Sequence, residues 1–307
     1  MTNLAMLDQA PEISTPSISS SAMLVEHTCS KWVGRKTDKK ASAKVVADNS
    51  MDEDTATVHK MLLGDSPALK ALTSLARNAR NIHYAMTLPW NDLGHRMLTT
   101  TMYMKYHETM TDLQMEFDRL VEEFCSNYTW EVSRAQARIG DLFNLADYPN
   151  EATIRSKFAF RISYEAINDP NDFRVNVGEE QAEILKEHMN KHHNARFNGV
   201  MDSMWKRVHK LALRMSERLR VAEVGEKVSK TGALPIHDSM VDEAHDILEL
   251  LGACNVTGDS QQEAIRQKFE GALHGVTTDG LRMSATLRAE TKASIDDIIL
   301  NLPSLDL

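Results

Sequence analysis

MLTTTMYMKYHETMTDLQMEFDRLVEEFCSNYTWEVSRAQARIGDLFNL, residues 97–145, is the stretch that decides the fold. Apolar side chains stand at 103, 106, 110, 113, 117, 120, 124 and 128, and again at 132, 135, 139 and 142. Steps of three and four sustained this long predict a helix with a coiled-coil seam. Fully helical, such a stretch would reach roughly 70 Å. Glu108, Asp112 and Glu116 recur at four-residue steps and so share one helix face.

A second arm, 179–222, carries the complementary charge. Lys206, Lys210, Arg214 and Arg218 recur every four residues beside a seam of Leu185, Met189 and His192, then Met201, Trp205, Val208, Leu211, Met215, Leu219 and Ala222. Laid antiparallel, the arms set Glu108 opposite Arg218, Asp112 opposite Arg214 and Glu116 opposite Lys210. Each exposed pair contributes only about 0.2–1 kcal/mol, yet together they select the antiparallel register. The seam weakens around Ala195, Asn198 and Gly199, which predicts a kink or a close approach of the arms. Two chains exchanging arms would satisfy the same register, so a homo-oligomer by arm swapping is compatible with it.

Between the arms the period changes from helical to alternating. Phe158, Phe160, Ile162 and Tyr164 alternate with Ala159, Arg161 and Ser163, and a second alternation follows at Phe173, Val175 and Val177. Asn168-Asp169-Pro170-Asn171-Asp172 separates them, which predicts a β-hairpin at the tip of the arms. Such a hairpin is marginal in water by itself and needs a surface to lie on. The residues expected to meet a partner there are Arg155, Lys157, Arg161, Asp172, Phe173 and Arg174.

The fold class expected is therefore mainly α: a long antiparallel coiled-coil helical hairpin, a small β-hairpin at its tip and a helical base. Residues 1–22, rich in Ser, Thr and Pro, predict a disordered tail. Residues 23–94 form the N-terminal part of the base, 95–225 the hairpin with its β tip at 148–178, and 226–307 the C-terminal helices. Ser66 as N-cap and Pro67 in the first turn predict a helix over 66–86. Glycines 252, 275 and 280, with Asp259 and Asp279 near helix starts, predict three more at about 237–252, 260–273 and 279–299.

Composition narrows the function. At 307 residues, 26% charged and 42% hydrophobic, the chain has the make-up of an ordinary soluble protein with room for a core. A net charge of −9 argues against a protein that coats nucleic acid over its whole surface, though a local basic patch still binds it. Cys29, Cys125 and Cys254 lie far apart and suit a reducing cytosol. No apolar run is long enough for a membrane span, so the expected location is cytoplasmic and no membrane partner is expected. The 17 methionines fill core seams and adapt to partners.

One local patch stands out. Lys31, Arg35, Lys36, Lys39, Lys40 and Lys44 face a single Asp38 within 31–44, beside Trp32. One aromatic in a cationic segment is the composition of a phosphate or single-strand contact, and the seven residues Lys31, Trp32, Arg35, Lys36, Lys39, Lys40 and Lys44 are the nucleic-acid candidates. His188, His192 and His193 have the i, i+4 spacing of a zinc pair, but Met189 stands where a zincin needs Glu, and no nearby cluster completes four ligands. In the arm register they lie across from Arg134 and Arg138, which favours neutral histidines. His237-Asp238 and His245-Asp246, with His83, His95 or Asp279, fit a helical metal-dependent phosphohydrolase only by dipeptides that are common by chance. P-loop, Rossmann and Gly-x-Ser-x-Gly patterns do not occur. No catalytic residue, metal ligand or cofactor is expected.

Three passages stand together in order: Trp32-Val33-Gly34-Arg35-Lys36 with Asp38-Lys39-Lys40; His83-Tyr84 leading to Thr87-Leu88-Pro89-Trp90; and Tyr148-Pro149 leading to Phe158 and Asp169-Pro170-Asn171-Asp172-Phe173-Arg174-Val175. This order resembles a family described only as a domain of unknown function, found in tailed bacteriophages and some bacteria. The likeness runs over roughly residues 30–220 and leaves the C-terminal helices uncovered. Members sometimes neighbour genes for MoxR-type ATPases and von Willebrand A-type proteins. The resemblance implies a phage or bacterial cytoplasmic origin and a role in an assembly, with an ATPase-containing complex as partner. It carries over no catalytic residue. The function expected is a non-catalytic adaptor or structural protein that binds a protein partner through the tip and the Met-rich seam. The alternatives are a nucleic-acid-binding protein using 31–44 and, third, the metal-dependent phosphohydrolase.

Overall fold

The computed structural model describes residues 18–52, 55–168, 178–229 and 233–304. It is mainly helical with a small antiparallel sheet. The chain starts with α1 (Ile18–Ser21), β1 (Ala22–Ser30), β2 (Arg35–Thr37), α2 (Lys39–Asp48), β3 (His59–Met61) and α3 (Pro67–Met86). Next come β4 (Leu88–Pro89), β5 (Arg96–Thr99), α4 (Thr100–Ile139), α5 (Glu151–Arg155) and β6 (Ala159–Ala166). The last elements are α6 (Glu179–Leu219), α7 (Met240–Ala253), α8 (Ser260–Leu273), α9 (Thr278–Met283) and α10 (Ala285–Asn301). Four strands form a sheet in the order β4-β5-β1-β6, while β2 and β3 pair separately.

Two compact units share these elements. The first gathers the chain up to Glu26, Tyr84–Met104 and Tyr164 onward; the second consists of His27–His83 and Lys105–Ser163.

In the first unit β1 runs antiparallel to β5, with Ala22 opposite Thr99 and Val25 opposite Arg96. Residues 18–22 of the expected tail therefore carry structure, because Ala22 has a strand partner; 1–17 lie outside the described residues. The β4–β5 hairpin closes through Asn91, whose side-chain oxygen accepts from the Leu93 and His95 amides at 3.0 and 3.2 Å. Helix α6 packs against α10, α7 and β4. Its buried residues, Val200, Met204, Val208, Leu211, Ala212, Met215 and Leu219, keep the three-and-four spacing of an amphipathic face. Gly199 does not mark a close approach: a Cβ added there would meet nothing within 4 Å, and the helix runs on through it. A helix stays regular where glycine costs it only propensity.

The second unit is organised by α4. Tyr106, Met110, Phe117, Leu120, Phe124, Tyr128 and Ala135 are buried, in phase with the apolar period of the sequence. What they meet is largely aromatic: Phe117 lies 5.7 Å from Phe160, and Phe124 lies 5.5 Å from Phe158 and 6.3 Å from Trp32. His83 Nδ1 and the Tyr106 hydroxyl hydrogen-bond at 2.8 Å, which satisfies both buried polar tips. Beyond Ile139 the helix gives way to 3₁₀ turns at Gly140–Leu142 and Leu145–Asp147, short of the expected end at 145.

Two charges of the expected inter-arm register are held within their own units. Glu116 bonds Arg119 three residues on, at 2.7 Å, and Arg214 bonds Glu243 of α7 at 2.7 Å. An i, i+3 partner is on the same face before any second helix arrives. Only the first strand of the expected β-hairpin falls among the described residues. β6 and the preceding Phe158 keep the predicted alternation, with Phe158 and Phe160 buried and Arg161 and Ser163 exposed, and β6 has β1 of the four-stranded sheet as a neighbour. A strand that finds a sheet gains ladder partners that an isolated hairpin lacks. The expected second strand at 173–177 lies outside the described residues. The expected helix at 279–299 is two, broken where the Ser284 hydroxyl caps α10 by accepting from the Leu287 amide. Among the described residues no helix is long and apolar enough to cross a membrane.

Candidate functional site: a basic cleft in the second unit

The chain leaves β1 through a turn that needs glycine. Gly34 has φ +59°, in the left-handed region, and a Cβ there would come 3.1 Å from Leu69 of α3. Its carbonyl accepts from the Leu62 amide at 2.8 Å, which continues the β2–β3 ladder. In that ladder Arg35 stands opposite Met61, Lys36 opposite Lys60 and Thr37 opposite His59. The far side of β3 is tied down by α4 and the 3₁₀ turns: Arg138 donates to the Met61 and Leu62 carbonyls at 3.2 and 3.0 Å, and the Tyr148 hydroxyl donates to Leu62 at 3.3 Å. Trp32 turns into this packing, 6.0 Å from Tyr128.

Helix α3 completes the site. Leu69, Leu72, Ala76, Ala79 and His83 form its buried stripe, so Lys70, Ser74 and Arg77 face outward. Between this outward face and the segments that enter β2 and leave β3 lies an open cleft of about 540 Å³. Four cations line it: Lys31 and Arg35 from the strand side, Lys70 and Arg77 from α3. Its lining holds no Asp or Glu among the described residues. Apolar lining comes from Val33, Met61, Leu63 and Leu69, and hydroxyls from Thr73 and Ser74.

The neighbouring carboxylates are engaged elsewhere, which leaves the cleft positive. Asp65 takes Arg134 at 2.9 Å and Arg138 at 3.3 Å. Arg134 also stacks over Trp130 at 4.8 Å and reaches Glu131 at 3.3 Å. Asp147 sits between Lys60 and Lys36, the latter at 3.3 Å. Lys31, Arg35, Lys70 and Arg77 form no ion pair among the described residues. Unneutralised like charges sharing one concavity attract an anion.

The Asp147 clamp gives a test of how the strand pair is held. Lys60 first, then Lys36, holds its carboxyl below the usual aspartate range. A depressed pKa stabilises the fold above the unfolded-state value of about 3.9, and that stability is lost as the pH falls through the lower folded-state value. Asp147→Asn is expected to lower stability at neutral pH by about 1 kcal/mol, as for a partly solvated pair. The gap to wild type should close once the pH has fallen through that lowered folded-state value, read from thermal melts across pH. A gap unchanged down to acid would show that the carboxylate charge holds nothing.

The nucleic-acid candidates divide accordingly. Lys31 and Arg35 line the cleft; Lys36 is paired with Asp147; Lys39, Lys40 and Lys44 are exposed on α2, whose N-cap Asp38 accepts from the Ala41 amide at 3.0 Å. Trp32 belongs to the core side. Of the expected tip, Asp172, Phe173 and Arg174 lie outside the described residues. Arg155 is bonded to Glu122 at 2.5 Å, while Lys157 and Arg161 are exposed, and the Arg161 carbonyl accepts from His27 Nδ1 at 3.3 Å. Among the described residues no group of three or more His, Cys, Asp or Glu is placed to hold a metal ion. Asp238 and Asp279 do converge, but on Arg282, at 2.6 and 3.3 Å. Arg134 and Arg138, expected opposite the His188, His192 and His193 cluster, are taken up by Asp65, and His193 lies 6.1 Å from Trp90.

Lys70 and Arg77 were missed by reasoning on the 31–44 segment alone. Their signal was present: Pro67–Met86 contains Lys70, Arg77 and Arg80 and no acid. Comparison of the chain with protein-family models, with characterised proteins and with solved structures returns no match, and so adds no support to the phage-family resemblance.

Proposed function

We propose that this chain is a nucleic-acid-binding protein that grips the phosphate backbone through the basic cleft. The observation that carries this reading is the convergence of four unpaired cations from two elements on a cleft with no acidic lining among the described residues. Lys39, Lys40 and Lys44 are also exposed, on α2, the element that follows β2, and a polymer reaches more cations than a single phosphate does. Contacts of this kind position a strand without reading its sequence.

Four released counterions predict that log K falls with log salt at a slope of about −3 on a single strand. In anisotropy titrations Arg35→Glu with Lys70→Glu is expected to weaken binding by at least tenfold. Lys206→Glu with Lys210→Glu, on the basic stripe of α6, should leave it within about twofold. Binding that is independent of salt, or indifferent to the cleft reversals, overturns the reading.

A protein adaptor is the second reading, and one observation favours it. Residues 179–199 of α6 include no buried residue, and Ile184 is 62% exposed. Leu185 and Met189 are half-buried beside it, so on this reading a second copy of the chain completes the burial of that face. Ile184→Glu with Leu185→Glu should then abolish co-purification of that partner or lower the mass in solution. Unchanged association would remove this reading.

A further inference from the structure

Resting on the nucleic-acid reading, we propose that the cleft selects single strands over duplexes, because it seats an unstacked base on an apolar floor between its two cationic walls. The lining is not uniformly charged. With the cations Lys31, Arg35, Lys70 and Arg77 the cleft is lined by Val33, 59% exposed, Met61, 41% exposed, and the buried Leu63 and Leu69. A site for phosphates alone has no use for apolar side chains held in water between its cations. A base supplies what they lack, a flat apolar face attached to the phosphates that the cations hold. Methionine sulfur is a favourable neighbour for an aromatic ring, and base contacts of this kind tolerate any sequence. Thr73 and Ser74 put hydroxyls in the same cleft, each able to donate to or accept from a base edge.

Size points the same way. About 540 Å³ lies within the range of sites for small organic ligands. A duplex keeps its bases stacked inside and presents only its phosphate rails to such a concavity, so it leaves the apolar floor in water. A strand must unstack one base to fill it, at a cost that is least for nucleotides already single-stranded. The exposed lysines of α2 give the flanking phosphates somewhere to go.

The test uses the full chain and four probes in anisotropy titrations: a labelled oligothymidylate, an abasic strand of equal length, a duplex of equal length, and thymidine monophosphate as competitor. The oligothymidylate is expected to bind about tenfold or more tighter than the abasic strand or the duplex. Val33→Ala with Met61→Ala should reduce it to the level of the wild-type protein on the abasic strand, with a far-ultraviolet circular dichroism melt like that of wild type showing that the variant is folded. Equal binding of the three polymers overturns the base seat while the polyanion reading stands. Loss of all binding at low salt overturns both. Competition by the mononucleotide at the affinity of the polymer overturns the strand and makes the cleft a nucleotide site.

Discussion

Phe124→Ala is expected to lower the stability of the second unit by about 3–5 kcal/mol, the cost of a large aromatic removed from a core that cannot collapse around the gap. Phe124 is fully buried on α4, and its ring meets Trp32, Tyr128 and Phe158. Those neighbours come from the turn before β2, from α4 and from the start of β6, so one cavity loosens three segments. The functional consequence follows from Trp32, which anchors the chain between Lys31 and Arg35 of the cleft. The nucleic-acid binding proposed for the cleft should therefore fall together with stability. Phe124→Leu, which keeps most of the volume, should recover most of both. Denaturant unfolding, followed by far-ultraviolet circular dichroism, measures the first quantity and anisotropy the second. A Phe124→Ala protein of native stability would mean that the aromatic cluster is not the core of this unit.

Replacing Arg207 with Met should cost the first unit about 2–4 kcal/mol, because the guanidinium is the bonding partner of a helix end. Arg207 donates to the Tyr84 carbonyl at 2.8 Å, to Ala85 at 3.1 Å and to Thr87 at 2.9 Å. Arg96 adds bonds to the Thr87 hydroxyl and carbonyl at 2.7 and 2.8 Å, with its guanidinium 4.5 Å from the Tyr84 ring. Arg207 forms no ion pair among the described residues, and burial lowers its pKa. An arginine still stays charged at neutral pH. Carbonyl dipoles at the C-terminal end of a helix stabilise that charge. Lysine offers a compact ammonium whose three donors share one nitrogen in place of the planar fork, so Arg207→Lys should restore only part of the loss. The shift in unfolding midpoint compares the three proteins. Equal midpoints for wild type and Arg207→Met would show that water replaces the guanidinium without loss.

Much of the helical content was legible because periodicity is local. The apolar steps of α4 named most of its buried residues, those of α6 held only at Val208, Leu211, Met215 and Leu219, and Ser66 and Pro67 located the start of α3. The strand at 22–30 and the β4–β5 hairpin were not read. Each is short, and pairing between residues such as Ala22 and Thr99 is invisible until the chain has folded. The candidate site was half legible. Lys31 and Arg35 were marked by the density of positive charge around them, whereas Lys70 and Arg77 belonged to a helix read for its caps rather than its charge.

The sequence by itself determined which segments are helical and which face of each is apolar, since those depend on residues three and four apart on one continuous backbone. It also determined that positive charge is concentrated in 31–44. Tertiary structure alone decided what each apolar face meets. α4 buries its stripe against Trp32, Phe158 and Phe160, and α6 packs against α10, α7 and β4. Matching charge stripes could not settle that choice, because an exposed pair contributes about 1 kcal/mol or less and a neighbour on the same helix or the next one satisfies it equally well. Aromatic burial contributes several times as much per residue, and it depends on shapes that come together only in three dimensions. The same packing set Lys31 and Arg35 in one cleft with Lys70 and Arg77, and made part of a charged run the lining of that cleft.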